Sequence, residues 1–392
     1  MEQHLTPADA IGRTRLLILQ PTPFCNIDCD YCYLPTRSDR HRMPYEIIEA
    51  AIRFVFSHNL PAPDFTVVWH GGEPLVLPVA WYREAFRRAS SAAPSGAVLP
   101  HAMQTNGILI DDEWCEFFQE IPIKVGISLD GPQWLHDLRR KTRSGGGTFS
   151  RVMRGLEKLR RNGVPFHVIC VVTDATLDAA EELMDFFIME GVQNIGFNLE
   201  EIEGVNTSSS LLHLGMEARY RSFFARVIAR AGQANAPLVV REQQELLAML
   251  QHPTFGRLSK NTSNDPFGFM TVSSRGAIFT FSPELAGLTD PTYGDLAVGQ
   301  LPDDSLEDVF SRQSFQRMWA DIEAGTKMCQ ASCSYFDLCL GGAPSNKLAE
   351  NGSFATAETT YCRLRHQALA DVILTNLEHG LARHCRAPAD AL

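Results

Sequence analysis

The sequence predicts an α/β protein: a partial (β/α)6 barrel followed by a small α+β domain with its own cysteine group. Two observations carry this. Between Leu16 and Glu201, six short apolar runs alternate with amphipathic stretches at helical spacing, and such alternation with short connections builds a parallel sheet. From Phe269 onward the texture changes to a hairpin, a helix and clustered cysteines. The expected division is a core barrel over 1–209, a helical bridging region over 210–262 and an auxiliary domain with a C-terminal helix over 263–392.

The expected strands are Leu16–Gln20, Thr66–His70, His101–Gln104, Lys124–Ser128, His167–Val172 and Asn194–Asn198. The expected helices between them are Tyr45–His58, Ala80–Ala89, Asp112–Glu120, Thr148–Asn162 and Leu177–Glu190. The first shows the pattern well, with Ile47, Ala51, Phe54 and Val55 on one face. Gly215–Gln251 reads as helical. "FMTVSSRGAIFTFS" reads as a hairpin turning near Ser274-Arg275-Gly276, with helices following at about Leu306–Ala324 and Leu364–Ala382.

Composition narrows the function. The chain has 392 residues, ten cysteines and a formal net charge of -11. That cysteine density is far below a disulfide scaffold. No run of about 18 apolar residues suggests a membrane span, and "MEQHLTPADAIGRTRLLILQ" lacks the pattern of a signal peptide. The expected compartment is the cytoplasm, where clustered cysteines bind metal or do chemistry. The negative charge disfavours a nucleic-acid partner, and no membrane association is expected.

Unusual turns follow the strands: the cysteine loop after the first, then Gly71-Gly72-Glu73-Pro74, Thr105-Asn106-Gly107, Leu129-Asp130-Gly131, and "LEEIEG" from Leu199. Sites in parallel α/β folds lie at the carboxyl ends of strands, so these turns converge. The loop "PTPFCNIDCDYCYLPT" carries Cys25, Cys29 and Cys32 at C-x3-C-x2-C spacing. Structural zinc takes four ligands, and a disulfide strands the third thiol. A [4Fe–4S] cluster suits the spacing and leaves one iron without a protein ligand. Downstream, Cys329, Cys333, Cys339 and Cys362 form a four-thiol group, which suits either zinc or a closed iron–sulfur cluster; beside the first loop, a second cluster is the preferred reading. Cys115 and Cys170 read as small core residues.

The first loop, with Tyr31 before its last cysteine, resembles the radical S-adenosylmethionine (SAM) enzymes. The resemblance implies that SAM chelates the open iron, that one electron from the cluster breaks the S–C5′ bond, and that the 5′-deoxyadenosyl radical takes a hydrogen atom from substrate. It also implies contacts to SAM: Gly71, Gly72, Glu73 and Pro74 at the methionine amino group, Ser128 and Asp130 at the ribose and methionyl end, Thr105 and Asn106 in the pocket wall, and Arg140 at the carboxylate. Glycines admit close backbone approach, and Glu73 can accept from an ammonium.

The second group resembles the SPASM extension of peptide-modifying radical enzymes, with departures. Phe281 and Ala343 stand where that pattern has cysteines, so one auxiliary [4Fe–4S] cluster is expected in place of two. Ser282 replaces the aspartate of sulfatase maturases; Glu284 is the nearest carboxylate and the candidate base. "FSPELAG", "CLGGAPSNKLAENGSF", "ETTYCR" and "NLEEIEGVN" look like the glycine-rich-repeat peptide maturases that form cyclophanes. The implied partners are a ribosomally made precursor peptide and reduced flavodoxin or ferredoxin as electron donor. Only fifteen residues precede Leu16, so leader recognition is expected to use the body of the protein or a separate partner. Other products (thioether, epimerisation, sulfatase-type oxidation) and a zinc-binding peptide-docking scaffold are the competing readings.

Overall fold

The computed structural model describes residues 12–233 and 238–385; most of the N-terminal stretch read for a targeting signal lies outside the described residues. Ten strands form one sheet: β1 (Thr14–Leu19), β2 (Pro61–Trp69), β3 (His101–Thr105), β4 (Ile123–Ser128), β5 (Phe166–Val172), β6 (Asn194–Leu199), β7 (Val239–Val240), β8 (Phe269–Val272), β9 (Ala277–Thr280) and β10 (Gly299–Gln300). Their spatial order is β10-β9-β8-β1-β2-β3-β4-β5-β6-β7. From β8 through β7 every neighbouring pair is parallel. All six expected barrel strands are present, and Leu16↔Thr66 and Val67↔His101 fix the first registers.

The connecting helices cover the sheet: α1 (Tyr45–Ser57), α2 (Val79–Ala92), α3 (Asp112–Glu120), α4 (Phe149–Arg161) and α5 (Ala180–Met189). Period-2 alternation sends one face of each strand toward them. On β2, Phe65, Val67 and Trp69 are buried while Thr66 and Val68 are only partly so. Trp69 stacks on Phe86 of α2 at 5.3 Å between centroids, and Cys115 and Cys170 are wholly buried in this core. The helical stretch expected over Leu177–Glu190 is two helices, Asp174–Asp178 and α5, with Thr173 and Thr176 forming a reciprocal cap at the first.

The main difference from expectation is at the sheet's edge. The hairpin β8–β9, with Val272 opposite Ile278, does not stand in a separate domain. β8 pairs in parallel with β1, Leu16↔Phe269 to Leu19↔Val272. An open barrel leaves unpaired N–H and C=O groups on its first strand, and sheet edges are normally paired or covered. β8 meets that need here, and the two-residue β7 does so for β6. The boundary placed at 263 therefore separates β8 from a sheet it completes. The bridging region supplies α6 (Met216–Ala231) and α7 (Arg241–Gln251). Beyond it, α8 (Gln313–Ser332) runs past the expected Ala324 and carries Cys329 in its last turn. Then come a short helix at Phe336–Cys339, α9 (Pro344–Asn351), and a helical run from Thr360 that ends in α10 (Leu369–Cys385).

Candidate active site

The first cysteine loop sits at the carboxyl end of β1. Ile27–Cys29 forms a short strand antiparallel to Arg140–Thr142, pairing Cys29 with Arg140. The Arg143 Nε donates to the Cys25 carbonyl at 2.8 Å, and Arg37 Nη1 to the Cys29 carbonyl at 3.1 Å. The turn after β2 packs directly on this loop: the Glu73 N–H donates to the Phe24 carbonyl at 2.8 Å. Gly72 has φ +65, and a Cβ there would stand 2.4 Å from the Thr22 carbonyl oxygen, so only glycine lets the two turns meet.

Glu73 joins the turns after β2 and β3. Its carboxylate is 1% exposed and accepts from Leu75 N–H (2.9 Å), Thr105 Oγ1 (2.6 Å) and Asn106 N–H (2.8 Å). Burial pushes its carboxyl up to about 7, against which these donors act. A carboxylate has about four lone-pair sites, so one remains for a ligand. Pro74 opens a short turn and accepts from the Tyr82 hydroxyl. Asn106 Nδ2 donates to Asn26 Oδ1 at 2.8 Å and lies 3.9 Å from Cys25 Sγ. Ser128 is half-buried and accepts from Gln104 Nε2 at 3.0 Å.

Asp130 and Arg140, expected from the motif resemblance at SAM, meet each other in this structure. They satisfy each other. Arg140 Nε and Nη2 donate to Asp130 at 2.8 and 3.1 Å, both residues are under 10% exposed, and Asp130 also accepts from Val171 N–H and from the Tyr31 hydroxyl. Burial opposes charge on Asp130, and Arg140 overcomes it, leaving the carboxyl below its ordinary range. Arg140 Nη1 also lies 3.9 Å from Cys29 Sγ. The pair thus ties the cysteine loop to β4 and β5. Sequence could not show this, because it depends on the Cys29↔Arg140 register.

Burial raises the Cys25 and Cys29 thiols to about 12. Thiols this enclosed ionise only beside a strong positive partner, which iron would supply. The second group is enclosed too. Cys329, Cys333, Cys339 and Cys362 line one cavity of about 300 Å³ with Gly341, Gly342 and Lys347, and burial raises Cys362 to about 12. Four sulfurs around one cavity would suit either of the metal groups considered for them, a zinc ion or a closed iron–sulfur cluster.

Between the two groups lies a carboxylate network that the sequence only hinted at. Glu284 accepts from Ser282 Oγ. That hydroxyl lies 3.2 Å from Ser345 Oγ, which is 3.0 Å from Glu203 Oε1. Asn346 Nδ2 bridges Glu203 (3.1 Å) and Glu201 (2.6 Å). Burial raises all three carboxyls, Glu201 to about 8. Glu201, Glu203 and Glu284 share a cavity of about 280 Å³ with Leu16 and Ile18 of β1 and Phe197 of β6. Nearby, the Tyr33 hydroxyl and His70 Nε2 are 3.2 Å apart. Neither Ser345 nor Asn346 carried a motif signal beyond its place in "GGAPSNK".

A strand-end cysteine loop, meeting glycine turns from successive parallel strands, defines a class. A family model described as the Radical SAM superfamily matches residues 19–187, and the chain carries a radical SAM domain over that stretch. Over 94% of its length it is 40% identical to uncharacterized protein sll1766 of Synechocystis sp., of which it covers 94%. It is 38% identical over 170 residues to a serine-type anaerobic sulfatase-maturating enzyme of Bacteroides thetaiotaomicron, spanning 42% of this chain and 40% of that one. Among solved structures, native anSMEcpe with bound AdoMet and Cp18Cys peptide superposes with TM-score 0.75 at 21% identity, over 95% of this chain and 99% of that one. Streptococcus suis SuiB bound to precursor peptide SuiA gives 0.66 at 17%, over 90% and 77%. The shared fold thus runs through the C-terminal region. Among the described residues no helix is long and apolar enough to cross a membrane.

Proposed function

We propose that this protein modifies a ribosomally made precursor peptide, joining an aromatic ring carbon to a neighbouring residue's β-carbon as a cyclophane. The observation that carries this reading is the carboxylate network between a three-cysteine loop and a four-cysteine cavity. Cys25, Cys29 and Cys32 would hold a [4Fe–4S] cluster with an open iron, Gly71 to Pro74, Thr105, Asn106 and Ser128 would border SAM, and Cys329, Cys333, Cys339 and Cys362 would hold a closed auxiliary [4Fe–4S] cluster. These groups, when bound, supply a 5′-deoxyadenosyl radical and a one-electron acceptor. Reduced flavodoxin or ferredoxin would deliver the starting electron.

The balance is a net loss of two hydrogens. One β-hydrogen leaves as an atom to the deoxyadenosyl radical. The carbon radical adds to the ring, and the ring then loses one electron and one proton. Glu284 stands in the network as the proton acceptor, and Ser282, Ser345 and Glu203 continue a path to Glu201. A raised carboxyl suits such transfer near neutral pH. Peptide substrates are supported by the peptide-bound neighbours of the same fold. A sulfatase-type oxidation is the second reading, favoured by the 38% identity to a sulfatase maturase; that match spans only 40% of the relative, and Ser282 stands where the family's aspartate is expected. Mass spectrometry of a candidate precursor co-expressed with this protein tests the proposal. A peptide lighter by two hydrogens, with a ring-to-β-carbon bond in its fragments, is expected. An unchanged mass, or formylglycine in a sulfatase fragment, would overturn it.

A further inference from the structure

The four-cysteine cavity contains one buried cation among its described lining residues. Lys347, on α9, is 4% exposed, and its Nζ stands 3.5 Å from Cys329 Sγ. The other charged side chain lining the cavity, Glu358, is half-exposed; it pairs with Arg363 at 3.6 Å and accepts from Gln367. Space for the ammonium comes from α8. A Cβ on Gly325 would lie 3.2 Å from Lys347 Nζ and 2.2 Å from the Phe354 carbonyl oxygen. Placing an ammonium here is strongly disfavoured unless it faces negative charge. Its hydrogen-bond partner is the Cys329 sulfur, and thiolates bound to iron would carry that charge.

We propose that Lys347 is a positioning residue that raises the reduction potential of the auxiliary cluster. The inference rests on the auxiliary-cluster reading above. Cluster potentials respond to net charge, hydrogen bonds to sulfur and solvent exposure. Reduction adds one negative charge, and a fixed positive charge beside a ligand sulfur stabilises the reduced state more than the oxidised one. With a cluster bound there, the electron leaving the ring would be drawn to this site, while the ring's proton would leave to the carboxylates. The two destinations meet on α9, where Ser345 and Asn346 touch the carboxylate network and Lys347 touches Cys329.

The test uses full-length protein, reconstituted anaerobically, with Cys25, Cys29 and Cys32 replaced by Ala so that only the auxiliary cluster titrates. Its midpoint is read by electron paramagnetic resonance with Lys347 intact and as Lys347→Met, Lys347→Gln and Lys347→Arg. The expected result is a tenfold or larger fall in the reduction equilibrium constant for Met and Gln, about 59 mV for one electron, with Arg close to the parent. Equal midpoints for Met and parent overturn the inference. If Met fails to assemble a cluster, Gln decides: a lowered midpoint supports the charge, an unchanged one overturns it. Loss of the cluster in all three variants assigns Lys347 a packing role and overturns it as well. A parent without cluster iron overturns the auxiliary-cluster reading, and the inference falls with it.

Discussion

The two cysteine groups differ in how their surroundings balance charge. At the first, Arg140 lies near Cys29, but its charge is met by Asp130, so the loop is held by a neutralised pair and by backbone carbonyls bonded to Arg37 and Arg143. At the second, Lys347 meets Cys329, and among the described residues no carboxylate pairs with it. The first has three sulfurs beside glycine turns that can admit a ligand; the second has four around its own cavity. On the proposed reading, the first would leave a coordination position open while its loop is tied to the sheet, and the second would close its coordination beside a positive charge. A site proposed to start a reaction and a site proposed to collect an electron would need those opposite treatments.

The comparison breaks most completely if the first group is dispensable. Replacing Cys25, Cys29 and Cys32 by Ala should remove about four irons and abolish 5′-deoxyadenosine formation; surviving SAM cleavage would show that the loop does not hold the reactive cluster. The Cys339→Ala change should empty the second site only. Deoxyadenosine should then persist while crosslinked peptide falls sharply, and undiminished product would remove the electron-collecting role. Asp130→Asn tests the neutralised pair itself. Leaving Arg140 buried and unmatched should destabilise the protein by about 3–5 kcal/mol, seen as a lower denaturant midpoint, and a midpoint within error of wild type would mean that the pair holds little.

Glu73 gives the smallest effects. Glu73→Gln should weaken SAM binding about tenfold or more, since a charge-assisted hydrogen bond contributes roughly 1.5–3 kcal/mol; an unchanged Kd by calorimetry would restrict Glu73 to joining two turns. Its carboxyl rises from an ordinary 4.5 to about 7 through burial, so the folded protein binds a proton that the unfolded chain releases between those values. The resulting stability is present below about 4.5 and is lost as pH rises through 7. Urea midpoints of SAM-free protein should therefore fall across that window, and the Gln variant should show a flatter profile.

Much of this was legible in the chain. Period-2 runs ending in cysteine or glycine turns, such as Thr66–Trp69 before Gly71-Gly72, placed the barrel and the face of its site. The turns themselves carried the SAM-binding reading. What the sequence did not reveal depends on register and on distant segments. Arg140 faces Asp130 because Ile27–Cys29 pairs with Arg140–Thr142, and three-residue strands are too short to show periodicity. Ser345, Asn346 and Lys347 gain meaning only when α9 is packed between the carboxylate network and the second cysteine group. The hairpin at 269–280 was recognisable as a hairpin, but its partner β1 lies some 250 residues earlier, and an edge pairing leaves no local pattern.

That edge pairing also sets an order of events in the making of the protein. β1 leads into the first cysteine loop, yet one of its flanks is paired by Phe269–Val272. A growing chain must therefore present the first three cysteines long before the strand that completes their support has been synthesised. Long-range contacts of this kind slow folding, because the loop must close before the contact repays the entropy. The strand that leads into the first loop therefore remains unpaired on that side through most of translation.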